Sequence, residues 1–269
     1  VNYRHTYHAG NFADVVKHLA EVAVLTYLAK KDAPFAVIDS HAGRGLYNLR
    51  AREALKTGEA EAGITRLIGL PGPPLLTRYL DLVAQEAAGF YPGSPLIAAR
   101  LLRPQDRLVA IEKHPEEAAI LKSVLASWRK ARVEEGDGYA RLPALLPPAE
   151  RRGLILIDPP FEAPDEFETA ARLIRDAYRK FATGIFLLWY PIKSEAAGNA
   201  FVGEVLASGA AKALKVEIAI AAPEGKLGRA GLLLLNPPYQ FDREITAALG
   251  AIAPRLEAKT RSDWLAGGP

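Results

Sequence analysis

Two stretches of the chain close an apolar run on an acid or amide, two prolines and an aromatic ring: "GLILIDPPF" at 153–161 and "GLLLLNPPY" at 231–239. A carboxylate followed by Pro-Pro suits one kind of chemistry in particular. An exocyclic amine on a nucleobase delocalises its lone pair into the ring and is a poor nucleophile. If a carboxylate and a nearby backbone carbonyl accept its two hydrogens, the nitrogen becomes more tetrahedral and its lone pair can be aimed at an electrophilic methyl group. Asp158 and the carbonyl of Pro159 are the candidate acceptors, and the prolines stiffen the turn. Phe161 is the candidate stacking surface for the base, at ~1–3 kcal/mol per stacked base. Pro-Pro after a strand is also a common way out of a sheet, and the second copy shows that the tetrapeptide does not identify itself.

Neighbouring strand ends favour the first copy. "VIDSHAGRG" (37–45) ends a strand in an acid followed by small residues, including Gly43, as a loop needs when its backbone must approach a ligand closely. Glu112 ends a second strand, where an acid can accept both hydroxyls of a ribose. "EEGDG" (134–138) ends a third and places Asp137, with Gly138 after it, where it could accept from an adenine amino group. Each acid alone reads more simply as a surface charge at a strand end; three on consecutive strands, followed by Asp158 on the fourth, read as one site.

The elements that must position these residues recur in a βα rhythm. Strand-like runs fall at 35–40, 107–112, 131–135, 154–158, 185–190, 213–221 and 232–236, seven in all. Helix-like stretches fall at 11–30, 52–69, 74–88, 115–127, 165–181 and 195–208, with Asp14, Pro115 and Asp165 near their starts. About sixty-five residues separate the first two strands, more than a crossover needs, and "GLPGPP" (69–74) divides them, so 47–95 reads as a small helical insertion in a single domain spanning 1–269. "APEGKLGRAG" (222–231) is too short for a helical crossover, so the last two strands should form an antiparallel hairpin. Ligands of open α/β sheets bind beyond the carboxyl ends of the parallel strands. Asn236 would then face the opposite rim, and catalysis is assigned to Asp158.

Composition narrows the alternatives. The 269 residues are 49% hydrophobic and 24% charged, ordinary for a globular chain able to bury a substantial core. No apolar run approaches the ~18 residues of a membrane span and no secretory signal is seen at the start, so the expected compartment is the cytoplasm. With no cysteine, thiolate zinc sites, iron–sulfur clusters and cysteine nucleophiles are excluded. His5, His8, His18 and His41 could suggest a metal, but no H-E-x-x-H pattern occurs and no metal is expected. The net charge of +3 permits an RNA partner. Basic clusters at 128–132, 150–152 and 175–180 could touch phosphates or simply be solvated faces.

This order of motifs resembles a class I S-adenosylmethionine-dependent methyltransferase, and more closely the bacterial RlmJ family. The resemblance runs over nearly the whole chain, through "YRHTYHAGNFADVVKH" (3–18), "DSHAGRGLY" (39–47), "FYPGSPLIA" (90–98), "RRGLILIDPPFE" (151–162), "RKFATGIFLLWYP" (179–191) and "LLLLNPP" (232–238). It implies a Rossmann-like α/β sheet of six parallel strands and one antiparallel strand, with an inserted helical subdomain. It further implies methylation of the N6 amine of an adenine in 23S ribosomal RNA; no metal is needed, because the sulfonium is already an activated electrophile, and no obligate protein partner is evident. It places Lys17, His18, His41 and Ser94 around the methionine end of S-adenosylmethionine, Glu112 on the ribose, Asp137 and Gly138 on the adenine side, and Asp158 as the catalytic acid. Tyr3, with Arg4 beside it, matches a segment associated with substrate RNA. The family motif usually ends in Tyr where this chain has Phe161, so no role of a phenolic hydroxyl carries over. The alternatives are an adenine methyltransferase acting on DNA, a glutamine-amide methyltransferase acting on protein, and a non-catalytic RNA-binding protein. A dinucleotide oxidoreductase is disfavoured by the missing G-x-G-x-x-G.

Overall fold

The computed structural model describes residues 7–223 and 225–268. Helix α1 (Phe12–Ala29) begins at Asn11, whose side-chain oxygen accepts the backbone N–H groups of Ala13 and Asp14 at 2.9 Å each. Almost every residue of α1 up to Leu25 is buried, polar ones included. A helix buried all round belongs to the core, and Asp14, Lys17, His18 and Glu21 therefore need partners inside the protein.

The central sheet has eight strands: β1 (Ala36–Asp39), β4 (Arg107–Glu112), β5 (Ala131–Glu135), β6 (Gly153–Ile157), β7 (Ile185–Pro191), β8 (Ala213–Ala219), β9 (Arg229–Leu235) and β10 (Lys259–Ala266). Their order is β10-β8-β9-β7-β6-β1-β4-β5. Strands β5, β4, β1, β6 and β7 pair in parallel. Strand β9 runs antiparallel to both β7 and β8, so β8 shares the direction of the parallel set. The expected hairpin is thus present, and the seven strands expected become eight. The extra strand, β10, pairs antiparallel with β8 along one edge. "KTRSDWLA" carries three charges and is nowhere fully buried, the composition of a protected sheet edge rather than of a core strand. By contrast, β1 and β6 are buried throughout and read as continuous apolar runs, because helices cover both faces.

One face carries α1 together with α10 (Phe241–Leu256); the other carries α8 (Glu166–Lys180) and α9 (Glu195–Leu206). Between β1 and β4 the chain forms β2 (Leu46–Asn48), α2 (Arg52–Thr57), α3 (Glu59–Ala62), a 3-10 turn at Ile64–Leu67, α4 (Pro74–Ala84), β3 (Phe90–Pro92) and α5 (Ser94–Leu101). Strands β2 and β3 make a separate antiparallel ribbon. Ile64, Leu67, Leu76 and Tyr79 pack into the same core as α1. The single helix expected over 52–69 is broken by Gly58, at φ +65, and by Gly63, where a Cβ would lie 2.1 Å from the carbonyl oxygen of Gly10. That close approach docks the segment on the start of α1. After β4 come α6 (Pro115–Val124) and, beyond β5, the short α7 (Gly138–Arg141). Among the described residues no helix is long and apolar enough to cross a membrane.

Candidate active site

From β1 the chain goes outward to β4 and β5 on one side and to β6 and β7 on the other, so the sheet reverses direction of growth between β1 and β6. A crevice opens at such a point, and ligands of open α/β sheets bind there. Here it holds a cavity of ≈ 340 Å³, lined by the exits of β1, β4, β5 and β6 and by α1. Asp158, Pro159 and Pro160 follow β6 directly into its wall.

At the floor, Lys17 reaches from α1 with its Nζ 2.8 Å from Asp14 Oδ1 and 2.5 Å from Asp158 Oδ2. Burial alone would push this ammonium down; the carboxylates of Asp14 and Asp158 outweigh it and hold Lys17 well above the usual lysine range. Lys17 was expected at the methionine end of a cofactor. It borders the cavity, but its ammonium is engaged by two carboxylates, one of them the proposed catalytic acid. Asp14 also accepts the backbone N–H of Gly10 at 2.9 Å, so the lysine is fixed from behind. One turn along α1, Glu21 is fully buried with no hydrogen-bond partner for either carboxyl oxygen, and burial followed by the nearby charge of Asp39 pushes it well above the usual carboxyl range.

The β1 exit supplies the next wall. Asp39 accepts the hydroxyl of Ser94 at 2.7 Å and the backbone N–H of His41 at 3.2 Å, and burial raises it to about 6. Ser40 donates its hydroxyl to the carbonyl of Leu156 at 3.0 Å, so the same oxygen must accept from His41 Nδ1, 2.8 Å away. That assigns the proton of a neutral His41 to Nδ1 and leaves Nε2 as an acceptor. Burial lowers His41 to about 4, so it is neutral at pH 7. His18 sits deeper, its Nδ1 2.7 Å from the Tyr91 hydroxyl, which in turn lies 2.8 Å from that of Tyr79.

Glu112, at the end of β4, accepts the backbone N–H of Gly43 at 2.8 Å on one oxygen and that of His114 at 2.7 Å on the other. A carboxylate offers about four acceptor positions, so both oxygens keep capacity for further donors. Gly43 lies at φ +63. Asp137 caps α7 by accepting Tyr139 N–H at 2.9 Å and pairs with Lys113 at 2.8 Å; burial would raise it, but Lys113 and the cap hold it below the usual carboxylate range. At Gly138 a Cβ would lie 2.0 Å from the carbonyl oxygen of Ser40. Only glycine lets the β5 exit pass so close to the β1 exit. Glu166 braces the loop after Pro160, accepting from the backbone N–H of Glu162 at 2.6 Å and of Ala163 at 3.2 Å and from the Tyr139 hydroxyl at 3.2 Å.

The structure therefore gathers Lys17, His18, His41, Gly43, Ser94, Glu112, Asp137, Gly138, Asp158 and Pro159 around one cavity. Phe161 is not among them. Its backbone turns left-handed at φ +50, which sends the ring into a buried cluster with Phe167, Trp189 and Phe201 rather than onto the cavity wall. At 6% exposure it is not available as a stacking surface in this conformation. Tyr3, Arg4 and His5 lie outside the described residues. His8 has an acid beside it, with its Nδ1 3.0 Å from Glu59. Sequence reasoning missed Lys113, Tyr139 and Glu166. Their types and spacing form no recognised pattern, and only the packing of α7 against the start of α8 brings the last two together.

At the other rim, Asn236 stands at φ +55 after β9 and donates from its side-chain amide to the carbonyls of Ala182 and Gly184, 2.8 Å each. Those bonds hold the turn leading into β7. The basic clusters are partly neutralised: Arg132 meets Glu134, Arg175 meets Glu204 and Arg179 meets Asp176.

A mostly parallel α/β sheet with an acid-lined cavity at its switch point is the architecture expected of a class I methyltransferase. Two curated proteins, each named Ribosomal RNA large subunit methyltransferase J, are similar along their length. The one from Escherichia coli (strain K12) is 39% identical over 95% of this chain and 94% of its own. The one from Haemophilus influenzae is 35% identical over 98% and 97%. A crystal structure of a Legionella pneumophila protein superposes with a TM-score of 0.89 at 34% identity, covering 95% of this chain and 98% of that one. The model of the family described as Ribosomal RNA large subunit methyltransferase D, RlmJ, matches residues 32–266, and this chain belongs to that family.

Proposed function

We propose that this protein transfers a methyl group from S-adenosylmethionine to the N6 amine of an adenine in 23S ribosomal RNA, by direct displacement and without a metal. The observation that carries the reading is the position of Asp158. It leaves a central parallel strand at the switch point, at the edge of the cavity, with its carboxylate oriented by a lysine that a second acid fixes from behind. The names of the similar curated proteins support a large-subunit RNA as the acceptor.

The cavity's charge fits the cofactor. Six carboxylates line it, from Glu112, Glu117, Asp137, Asp158, Glu162 and Glu166, against the two cations of Lys17 and Lys113, with Glu117 also paired by Arg44 from behind. S-adenosylmethionine carries a sulfonium and an ammonium against one carboxylate, so its net positive charge complements that excess, whereas a ligand carrying phosphates would be repelled. Its size lies within the range of small-molecule sites. Glu112 would take the ribose hydroxyls with its remaining lone pairs, Asp137 and the Gly138 backbone would flank the adenine, and His41 Nε2 would accept from a donor at the methionine end. The cofactor supplies an already activated methyl electrophile. The protein's own work is alignment. Asp158 Oδ and the Pro159 carbonyl accept the two N6 hydrogens and turn the nitrogen lone pair toward that methyl, and the Pro-Pro backbone, braced by Glu166, keeps both acceptors in place. The target base must leave its stack to reach them. With Phe161 buried, the flat faces of Pro159 and Pro160 are the surfaces that would meet the base.

Supplying labelled S-adenosylmethionine with protein-free 23S rRNA lacking its own adenine methylation, an adenine-containing DNA duplex and a glutamine-bearing protein acceptor in parallel tests this. N6-methyladenosine in the RNA alone is expected. Label in DNA or in a glutamine amide would replace the substrate class, and RNA binding without transfer would point to a non-catalytic protein.

A further inference from the structure

The second Pro-Pro motif has no part in this chemistry, yet it borders a cleft of ≈ 610 Å³, larger than the active-site cavity. Lys31, Arg152, Lys212 and Arg243 line this cleft, and Asp242 is its one carboxylate. None of the four cations meets a carboxylate in an ion pair among the described residues. Arg152 is anchored by donating to the carbonyls of Leu28 and Ala33, while Lys31, Lys212 and Arg243 are exposed. On the rim stands Tyr239, 77% exposed, the most exposed large apolar side chain among the described residues.

We propose that this cleft is a second foothold for the substrate RNA, with phosphates held by the cations and an unpaired base stacked on Tyr239. The inference rests on the RNA reading above and deepens it. An acid-rich active site attracts a cationic cofactor but repels the backbone that must deliver the base, so the phosphates need cations elsewhere. Arg132, Arg175 and Arg179 of the basic clusters pair with acids, whereas the four cations gathered at the Asn236 rim do not. A cationic groove beside an exposed aromatic is the chemistry of single-strand binding. Strands β6 and β7, five and seven residues long, put the two rims about 17–23 Å apart. One nucleotide cannot reach both, so the substrate engaged this way is an extended or folded RNA.

Binding of protein-free 23S rRNA by the full chain, titrated against salt, tests the proposal with Tyr239→Ala, Tyr239→Phe and a triple Lys31→Gln, Lys212→Gln, Arg243→Gln variant. S-adenosylhomocysteine binding and thermal melting confirm the folded site in each. Removing three phosphate contacts should flatten the slope of log K against log salt by about 2, at ~0.7 per contact. Tyr239→Ala should weaken binding about fivefold or more, with Tyr239→Phe close to wild type. In methyl transfer, KM for RNA should rise with kcat unchanged. Unchanged salt slope and affinity in the triple variant would overturn the proposal, as would a fall in kcat at constant KM. Wild-type protein that binds RNA with these dependences but methylates none would sink the functional reading and leave the foothold standing; wild type that binds no RNA would sink both.

Discussion

The chain ends two strands of one sheet, β6 and β9 on either side of β7, in nearly the same tetrapeptide, and the two copies do opposite things. Asp158-Pro-Pro-Phe leaves a parallel strand into a cavity lined by six acids, its carboxylate aligned by Lys17 and its aromatic ring turned into the core. Asn236-Pro-Pro-Tyr leaves an antiparallel strand at the other rim beside four cations, its amide tied to two backbone carbonyls and its ring in solvent. Strand direction, not motif chemistry, separates them. Asn236 and Phe161 use left-handed backbone to leave the sheet, and what each then touches is decided by which rim it has reached.

The aromatic positions give the largest contrast in stability. Phe161→Ala empties a place among Phe167, Trp189 and Phe201 and should cost about 3–5 kcal/mol, whereas Tyr239→Ala should change unfolding free energy by no more than about 0.5 kcal/mol. Denaturant melts of both variants check this. A stable Phe161→Ala protein with impaired transfer would return Phe161 to the base-stacking role its sequence position suggests. Next in size, Asn236→Ala leaves two backbone carbonyls without their donor and should cost about 1–3 kcal/mol while leaving kcat intact.

A smaller effect concerns pH at the rim of the acid-lined cavity. His41 is lowered to about 4 by burial, so the unfolded chain binds the extra proton first, and stability is lost as pH falls from about 6.5 toward 4. Asp39, raised to about 6, acts in the opposite sense: its folded form binds the proton first, and stability falls as pH rises between about 4 and 6. The test is therefore the difference between wild type and His41→Gln, which should show wild type losing about 1–2 kcal/mol more across that acid window. Parallel curves would mean that His41 is accessible to protons in the folded state.

Much of this was legible in the sequence because alternating apolar runs and helical segments report burial directly. The seven expected strands are all present, and the short loop before Arg229 revealed the hairpin. The features that were not legible depend on contacts between distant segments. Strand β10 is polar because it lies on an edge, helix α10 starts without a side-chain cap at Gln240, and the break at Gly63 is set by Gly10, fifty-three residues earlier. In the site, strand-end acids could be found because the sheet topology fixes where strand ends go. The engagement of Lys17 by Asp14 and Asp158 could not, because a lysine on a buried helix gives no sign of which carboxylate will meet it. The burial of Phe161 turns on one backbone angle.

On the proposed chemistry Asp158, not Asn236, presents the acceptor for the reacting amine. Methyl transfer to 23S rRNA by folded Asp158→Ala and Asn236→Ala, against wild type at saturating S-adenosylmethionine, tests it directly. A fall of about 10²–10³-fold in kcat is expected for Asp158→Ala, and a rate within about twofold of wild type for Asn236→Ala. Wild-type turnover by Asp158→Ala, or loss of turnover confined to Asn236→Ala, would contradict it.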